Sequence, residues 1–251
     1  MAAIRVRVAG LAAPENFGLD RLMQKLNRLQ AYYEFVHVGS SESAGPSDLP
    51  RQHYSTKKLS ETFRKLYPDS PEYQFELLLT AEKLEEDYFT LGANHLGLVS
   101  SADTELIRAK TGKPMEKLFA YNMMETLLWL QYDNEHNSDE EDRGCLFDSC
   151  YEKRSNITIG LHECFICDTC ERLLTERHVP SEQLHAVRSV LRWVKRPPAG
   201  VYLKWASSIA LLTVGITFVL VPDLANVGVA SLGASGWVAA VPRPLFPFAG
   251  D

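Results

Sequence analysis

Residues 144–174 read GCLFDSCYEKRSNITIGLHECFICDTCERLL, and this one segment contains every cysteine of the 251-residue chain. The five are Cys145, Cys150, Cys164, Cys167 and Cys170. An odd number of clustered cysteines favours metal binding, because a disulfide framework spreads its bridges through a small secreted domain. Free buried thiols are the plainer alternative, and five of them in one segment weigh against it. The segment therefore predicts a metal site that holds the local fold together.

The spacing of the cysteines points to four ligands of one zinc ion. Cys167 and Cys170 form the pair CDTC, and Cys145 and Cys150 form the pair CLFDSC. A structural Zn²⁺ prefers four tetrahedral ligands, with thiolate sulfurs at about 2.3 Å. A closed shell of four thiolates leaves no position for water or substrate. The predicted zinc therefore stabilises the protein and does not catalyse.

Two other residues of the segment compete with this ligand set. Cys164, in the stretch CFIC, is an alternative to Cys167, and His162 is an alternative fourth ligand. We favour CDTC because it leads directly into a predicted helix at ERLLTERH, as a zinc knuckle does. Cys164 is then expected to be a small buried hydrophobe. The stretch NITIGLH, between the two pairs, is predicted to be strand-like.

Upstream of the cysteines, the hydrophobic pattern predicts an α/β domain. Apolar residues alternate with arginines over 4–8, leucines recur at helical spacing over 19–29, and YYEFVHVG follows as a strand. This is a βαβ start. YQFELLLT and HLGLVSS are further strand candidates, and residues 114–132 predict a buried helix because they are apolar on most sides.

This order of parts resembles the archaemetzincin family of zincin-type metalloproteases. The resemblance covers about Ile4–Leu174 and rests on YQFELLLT, LGANHLGLVSSAD, the buried helix and the two cysteine pairs. It implies a zincin-like α+β domain over residues 1–178, with the four-cysteine structural zinc site in residues 144–174.

Members of that family also carry an HExxH helix, in which two histidines hold a catalytic metal and the glutamate activates its water. This chain has no HExxH. The best-aligned stretch is METLL, which keeps Glu125 and places Met124 and Leu128 where the histidines would stand. The resemblance therefore implies a pseudoenzyme that has kept the structural zinc, although Glu125 can equally be an ordinary structural glutamate.

The C-terminal part of the chain has a different composition. The sequence is uncharged from Trp205 to Val221, and a second uncharged run reaches Val241. The first run is near the lower limit for a spanning helix, for which roughly 20 residues are typical. Residues 201–241 therefore predict a helical transmembrane segment or hairpin, followed by a tail at 242–251. A basic helix within 179–200 connects it to the first domain and predicts that this domain is cytoplasmic.

Other chemistry has little support in the sequence. There is no phosphate-binding loop, dinucleotide fingerprint or G-x-S-x-G motif. A net charge of -6 weighs against a nucleic-acid binder, because phosphate-neutralising surfaces are basic. His37 and His95 lie near the ends of predicted strands, where they could line a shared pocket.

Together these features predict a non-enzymatic, membrane-anchored sensor, effector or regulator, such as a bacterial effector, with a zinc-stabilised cytoplasmic domain. Its expected partners are the membrane and either another protein or a second copy of this chain, whereas the sequence does not specify a small-molecule ligand. Two alternatives remain: a metal-dependent hydrolase with an unrecognised site, and a soluble subunit that uses its C-terminal hairpin to oligomerise.

Overall fold

A computed structural model describes residues 2–11, 17–41, 56–68, 70–84, 89–132, 143–148 and 153–197. The chain divides into two compact units, Met1–Pro198 and Ala199–Asp251, and every described residue belongs to the first. The predicted membrane segment 201–241 and the tail 242–251 lie outside the described residues. In the part that is described, no helix combines the length and the apolar character needed to cross a membrane.

The first unit alternates strands and helices before it becomes helical. The elements are β1 (Ile4–Leu11), α1 (Leu19–Leu29), β2 (Tyr33–Ser41), α2 (Thr56–Leu66), β3 (Phe75–Thr80), β4 (Thr90–Ala93), β5 (Leu96–Ser100), α3 (Glu105–Thr111), α4 (Met115–Tyr132), α5 (Lys153–Glu163), α6 (Asp168–Glu176) and α7 (Ser181–Lys195). The predicted βαβ start and the buried helix α4 are confirmed. Helices α2 and α3 and strand β4 were not anticipated from the sequence.

The strands form one mixed sheet in the order β2-β1-β3-β5-β4. The first four are mutually parallel, and β4 pairs with β5 in the antiparallel sense at one edge. Because side chains alternate along a strand, β1 presents Val6 and Val8 to one face and Arg7, Ala9 and Leu11 to the other.

The larger core lies on the face of Val6 and Val8. Helix α1 contributes Leu22 and Leu26, which are buried at helical spacing as the sequence predicted. Helix α4 is buried on nearly every side, which explains why its sequence shows no polar face. Helix α7, within the region predicted to connect two domains, packs against α4 and adds its apolar stripe to the same core.

The expectation of a strand at NITIGLH is wrong, because these residues belong to helix α5. The alternation of isoleucine and leucine at positions 157, 159 and 161 matches the period of a strand. In the folded chain, however, α5 packs against three other helices, α3, α4 and α7. Such helical packing overrides a weak local preference for strand.

The opposite face of the sheet carries a buried ion pair beneath α2. Arg7 of β1 and Glu76 of β3 are paired in register, and their side chains are only 6% and 2% exposed. The Arg7 guanidinium bonds the Glu76 carboxylate and also donates to the backbone carbonyls of Tyr67 and Pro68. It lies over the Phe63 ring, 5.3 Å from its centroid. Burial of both charges makes their mutual attraction strong and the loss of either partner costly.

Candidate metal centre

Three of the four predicted ligands meet at one point. The Sγ atoms of Cys145, Cys167 and Cys170 all lie within 4.8 Å of one another. Over the residues that the structure describes, no other group of three or more His, Cys, Asp or Glu side chains could hold a metal ion. Cys150, the fourth predicted ligand, lies outside the described residues.

A hydrogen-bonded turn presents Cys145. One carboxylate oxygen of Asp148 accepts the backbone N–H groups of Arg143, Gly144 and Cys145, at 2.8, 2.6 and 2.8 Å. The turn is also tied to the second cysteine pair, because Leu146 N–H donates to the Phe165 carbonyl at 2.8 Å. These bonds bring the turn at residues 143–148 against the CDTC segment, although the two are separated along the chain.

The start of helix α6 supplies the other two thiols. Cys167 is the N-cap residue of α6, and its Sγ accepts the backbone N–H of Cys170 at 3.5 Å. The backbone N–H of Cys167 in turn donates to Cys145 Sγ at 3.3 Å. Amide donors and the positive end of a helix both favour thiolates over thiols.

Hydrogen bonding within the cluster gives its thiols different pKa values. The bond from the Cys170 thiol lowers the pKa of Cys145, and the same bond raises the pKa of Cys170. Of these two, Cys145 is the thiol that loses its proton more readily. Thiolate donors held in a buried site suit Zn²⁺, which is a borderline-soft ion. The cluster thus fits zinc, the cofactor expected from the sequence.

The two competing ligands lie apart from this cluster. The Cys164 thiol is buried and bonds the Leu161 carbonyl at 3.0 Å, and burial raises its pKa to about 12. His162 is exposed near the end of α5. The structure therefore brings together the CDTC pair and Cys145, and it leaves out Cys164 and His162.

The METLL stretch lies in the middle of α4. Met124 and Leu128 are both fully buried in the larger core. Glu125 follows Met124 in the sequence and is half-buried. Burial, together with the electrostatic effect of the nearby Cys145, raises the pKa of Glu125 to about 8. The structure therefore places the Met124 thioether and the Leu128 isobutyl group in the packed core of the first unit.

His37 and His95 do not share a pocket. His37 lies on β2, which is one edge strand of the sheet, and His95 lies in the turn between β4 and β5 at the other edge. Three strands separate the two edges, a distance of about 19 Å at the usual strand spacing. His95 instead lies beside the buried ion pair, with Nε2 3.7 Å from Glu76 Oε2.

No protein-family model matches the chain, and no curated protein matches its sequence. Among solved structures, a structural comparison finds an archaemetzincin from Methanopyrus kandleri, with 16% identity over 71% of this chain and 97% of that chain at a TM-score of 0.45. Another is a zinc-dependent peptidase from Methanocorpusculum labreanum, with 14% identity over 67% of this chain and 99% of that chain at a TM-score of 0.44.

Proposed function

We propose that this chain is a zinc-stabilised α/β domain without a metalloprotease centre, which binds a protein partner and is anchored to a membrane by residues 201–241. The observation that carries this proposal is the distribution of ligands. Metal-binding side chains gather where two chain segments must be held together, and they are missing from the helix where a zincin would hold its catalytic ion.

The position of the thiol cluster supports a structural role for zinc. Cys145 belongs to a turn that follows α4, whereas Cys167 and Cys170 begin α6. A metal bound there ties the turn to the helix, and Cys150 would complete a closed shell. A fully thiolate shell offers no open position for an attacking water, so the ion contributes to folding and not to hydrolysis.

The packing of α4 supports the absence of proteolysis. Neither a thioether nor an isobutyl group can replace a histidine as a ligand of a Lewis-acid zinc. A zinc-dependent peptidase remains the second candidate function, favoured by the retention of Glu125 on α4.

Metal analysis and peptidase assays of the full chain should separate these two functions. We expect one zinc per chain and no chelator-sensitive cleavage of a fluorescent casein substrate. Glu125→Gln should leave this result unchanged. In a peptidase, loss of the general base would instead lower the rate by about 10²–10⁴-fold. Glu116→Gln, on the first turn of the same helix, is the matched control. A second metal together with cleavage that Glu125→Gln abolishes would contradict the proposal.

The membrane anchor is supported by composition and charge. Residues 205–221 are uncharged, and three exposed basic residues lie in the last turn of α7 and directly after it: Arg192, Lys195 and Arg196. Positive charge beside an apolar segment is typical of the cytoplasmic side of a membrane. A cytoplasmic location of the first unit is therefore part of the proposal.

Cell fractionation should test the anchor. We expect the full chain in the membrane pellet after high-salt washing, and a chain ending at Pro198 in the supernatant. Truncation there keeps the Arg196 carbonyl, which accepts hydrogen bonds from the buried Lys113 and Lys117 at the end of α7. A full chain that stays in the supernatant would favour the alternative of a soluble subunit that oligomerises through its C-terminal region.

A further inference from the structure

Three polar side chains near the carboxyl end of β2 are joined in a line of hydrogen bonds. His37 Nδ1 lies 2.8 Å from Asp20 Oδ1, and His37 Nε2 lies 3.2 Å from Ser40 Oγ. Asp20 stands in the first turn of α1, so the line connects that helix with β2. Carboxylate, imidazole and hydroxyl therefore follow one another in the order that activates a serine nucleophile.

The Asp20 carboxylate determines which ring nitrogen of His37 carries the hydrogen. An ionised Asp20 can only accept, so the hydrogen on a neutral His37 ring lies on Nδ1 and is donated to Asp20. Nε2 is then the acceptor, and the Ser40 hydroxyl donates to it. This is the tautomer in which an imidazole can remove a proton from a serine.

A β-bulge brings Ser40 to the same side of the sheet as His37. Residues three apart on a regular strand point to opposite faces. The register between β1 and β2 shifts after Val8, where Ala9 pairs with Gly39 and Gly10 with Ser40. Gly39 has a φ of +143°, which is open to glycine and strained for other residues. Bulges of this kind often redirect a side chain at a functional site.

A second glycine makes room for the hydroxyl. A Cβ at position 10 would lie 2.6 Å from Ser40 Oγ and 2.7 Å from Leu19 Cδ1. Ser40 Oγ therefore occupies the space above Gly10, beside the first residue of α1.

The serine is accessible while its partner is held in place. Ser40 is exposed, whereas the His37 side chain is 15% exposed and that of Asp20 is 77% exposed. A base that is largely covered keeps its orientation, and an exposed hydroxyl can meet a ligand. The arrangement differs from a chance surface contact because both neighbouring strands carry a glycine that the geometry requires.

We propose that Ser40 is a nucleophilic serine with His37 as its general base and Asp20 as a positioning residue, and that its ligands are activated carboxylic esters. Ser40 Oγ bonds to the carbonyl carbon as its proton passes to His37 Nε2. The bond from that carbon to the alcohol oxygen breaks, and the alcohol leaves with the proton from His37. Water then attacks the acyl-serine and passes a proton to His37, and the acid leaves as Ser40 recovers its hydrogen. No metal takes part, so this reactivity is independent of the role of the zinc cluster.

Labelling of the full chain with a fluorophosphonate should test the proposal. In this reaction Ser40 Oγ bonds to phosphorus, the P–F bond breaks, and fluoride leaves with the proton that His37 accepted. We expect one label per chain, mapped to Ser40 by peptide mass analysis and unaffected by chelators. Ser40→Ala should abolish the label, and His37→Gln should slow it by about 10²-fold or more. The rate of p-nitrophenol release from p-nitrophenyl acetate should likewise fall most in Ser40→Ala and less in His37→Gln.

Control variants distinguish activation of the Ser40 hydroxyl by its neighbours from simple exposure of a serine to the reagent. Asp20→Asn should slow labelling by up to about 10⁴-fold, whereas Asp20→Glu should restore most of the rate, because only a carboxylate orients the imidazole. Asp20 is largely exposed, so neither change should disturb folding. Ser189→Ala is the matched control, since Ser189 bonds the backbone carbonyl of His185 and not an imidazole. An unlabelled chain, or labelling at an equal rate after His37→Gln, would overturn the proposal.

Discussion

Removal of zinc should lower the midpoint of thermal unfolding by more than about 10 °C. In zinc-finger peptides a structural zinc contributes apparent free energies of about 10–16 kcal/mol. A domain with its own core depends on the metal for part of its stability only, and at this size each kcal/mol corresponds to about 2–4 °C. Loss of about 5 kcal/mol would therefore produce the expected shift. Calorimetry before and after treatment with a strong chelator, with zinc measured in both samples, provides the test.

Cysteine variants make this prediction specific. Cys170→Ala should lose the metal and reproduce the chelated state, because Cys170 is fully buried within the cluster. Cys150→Ala should do the same if Cys150 is the fourth ligand. Cys164→Ala is the matched control: its thiol bonds only a backbone carbonyl outside the cluster, so zinc should be retained. A chelated chain that unfolds at the original temperature would refute the structural role of zinc.

Breaking the buried ion pair should have an effect of similar size. Glu76→Leu leaves the Arg7 guanidinium buried without its carboxylate, and such a change costs about 3–5 kcal/mol. The free energy of unfolding can be measured by urea titration. We expect Arg7→Met to be costly as well, because it leaves the buried Glu76 carboxylate without its guanidinium partner.

A double variant shows whether the loss of stability comes from losing the Arg7–Glu76 attraction or from leaving one buried charge without a partner. Arg7→Met with Glu76→Leu should recover most of the lost stability, because an apolar pair fills the same space without desolvated charge. The carbonyls of Tyr67 and Pro68 belong to partly exposed residues, so water can replace the lost donors. Glu34→Leu is the matched control on the same sheet, since the Arg5–Glu34 pair is exposed and its loss should change stability within experimental error. Additive losses in the double variant would contradict this account.

Patterns that depend on near neighbours could be predicted from the sequence. The leucines of α1 recur at helical spacing, and they are buried on one side of that helix as expected. Helix α4 showed no polar face and is buried almost throughout. Helix α5 escaped prediction because its alternating residues satisfy the period of a strand, and only its contacts with three other helices decide its conformation.

The sequence by itself determined that a zinc ion would be held by paired cysteines, because Cys167 and Cys170 lie one turn apart and their spacing is a local property of the chain. It also showed that the chain contains no HExxH motif. Tertiary structure alone decided that Arg7 faces Glu76 across the sheet. It also decided that Ser40 and His37 share one face, because a bulge at Gly39 changes the alternation on which every sequence prediction of a strand depends.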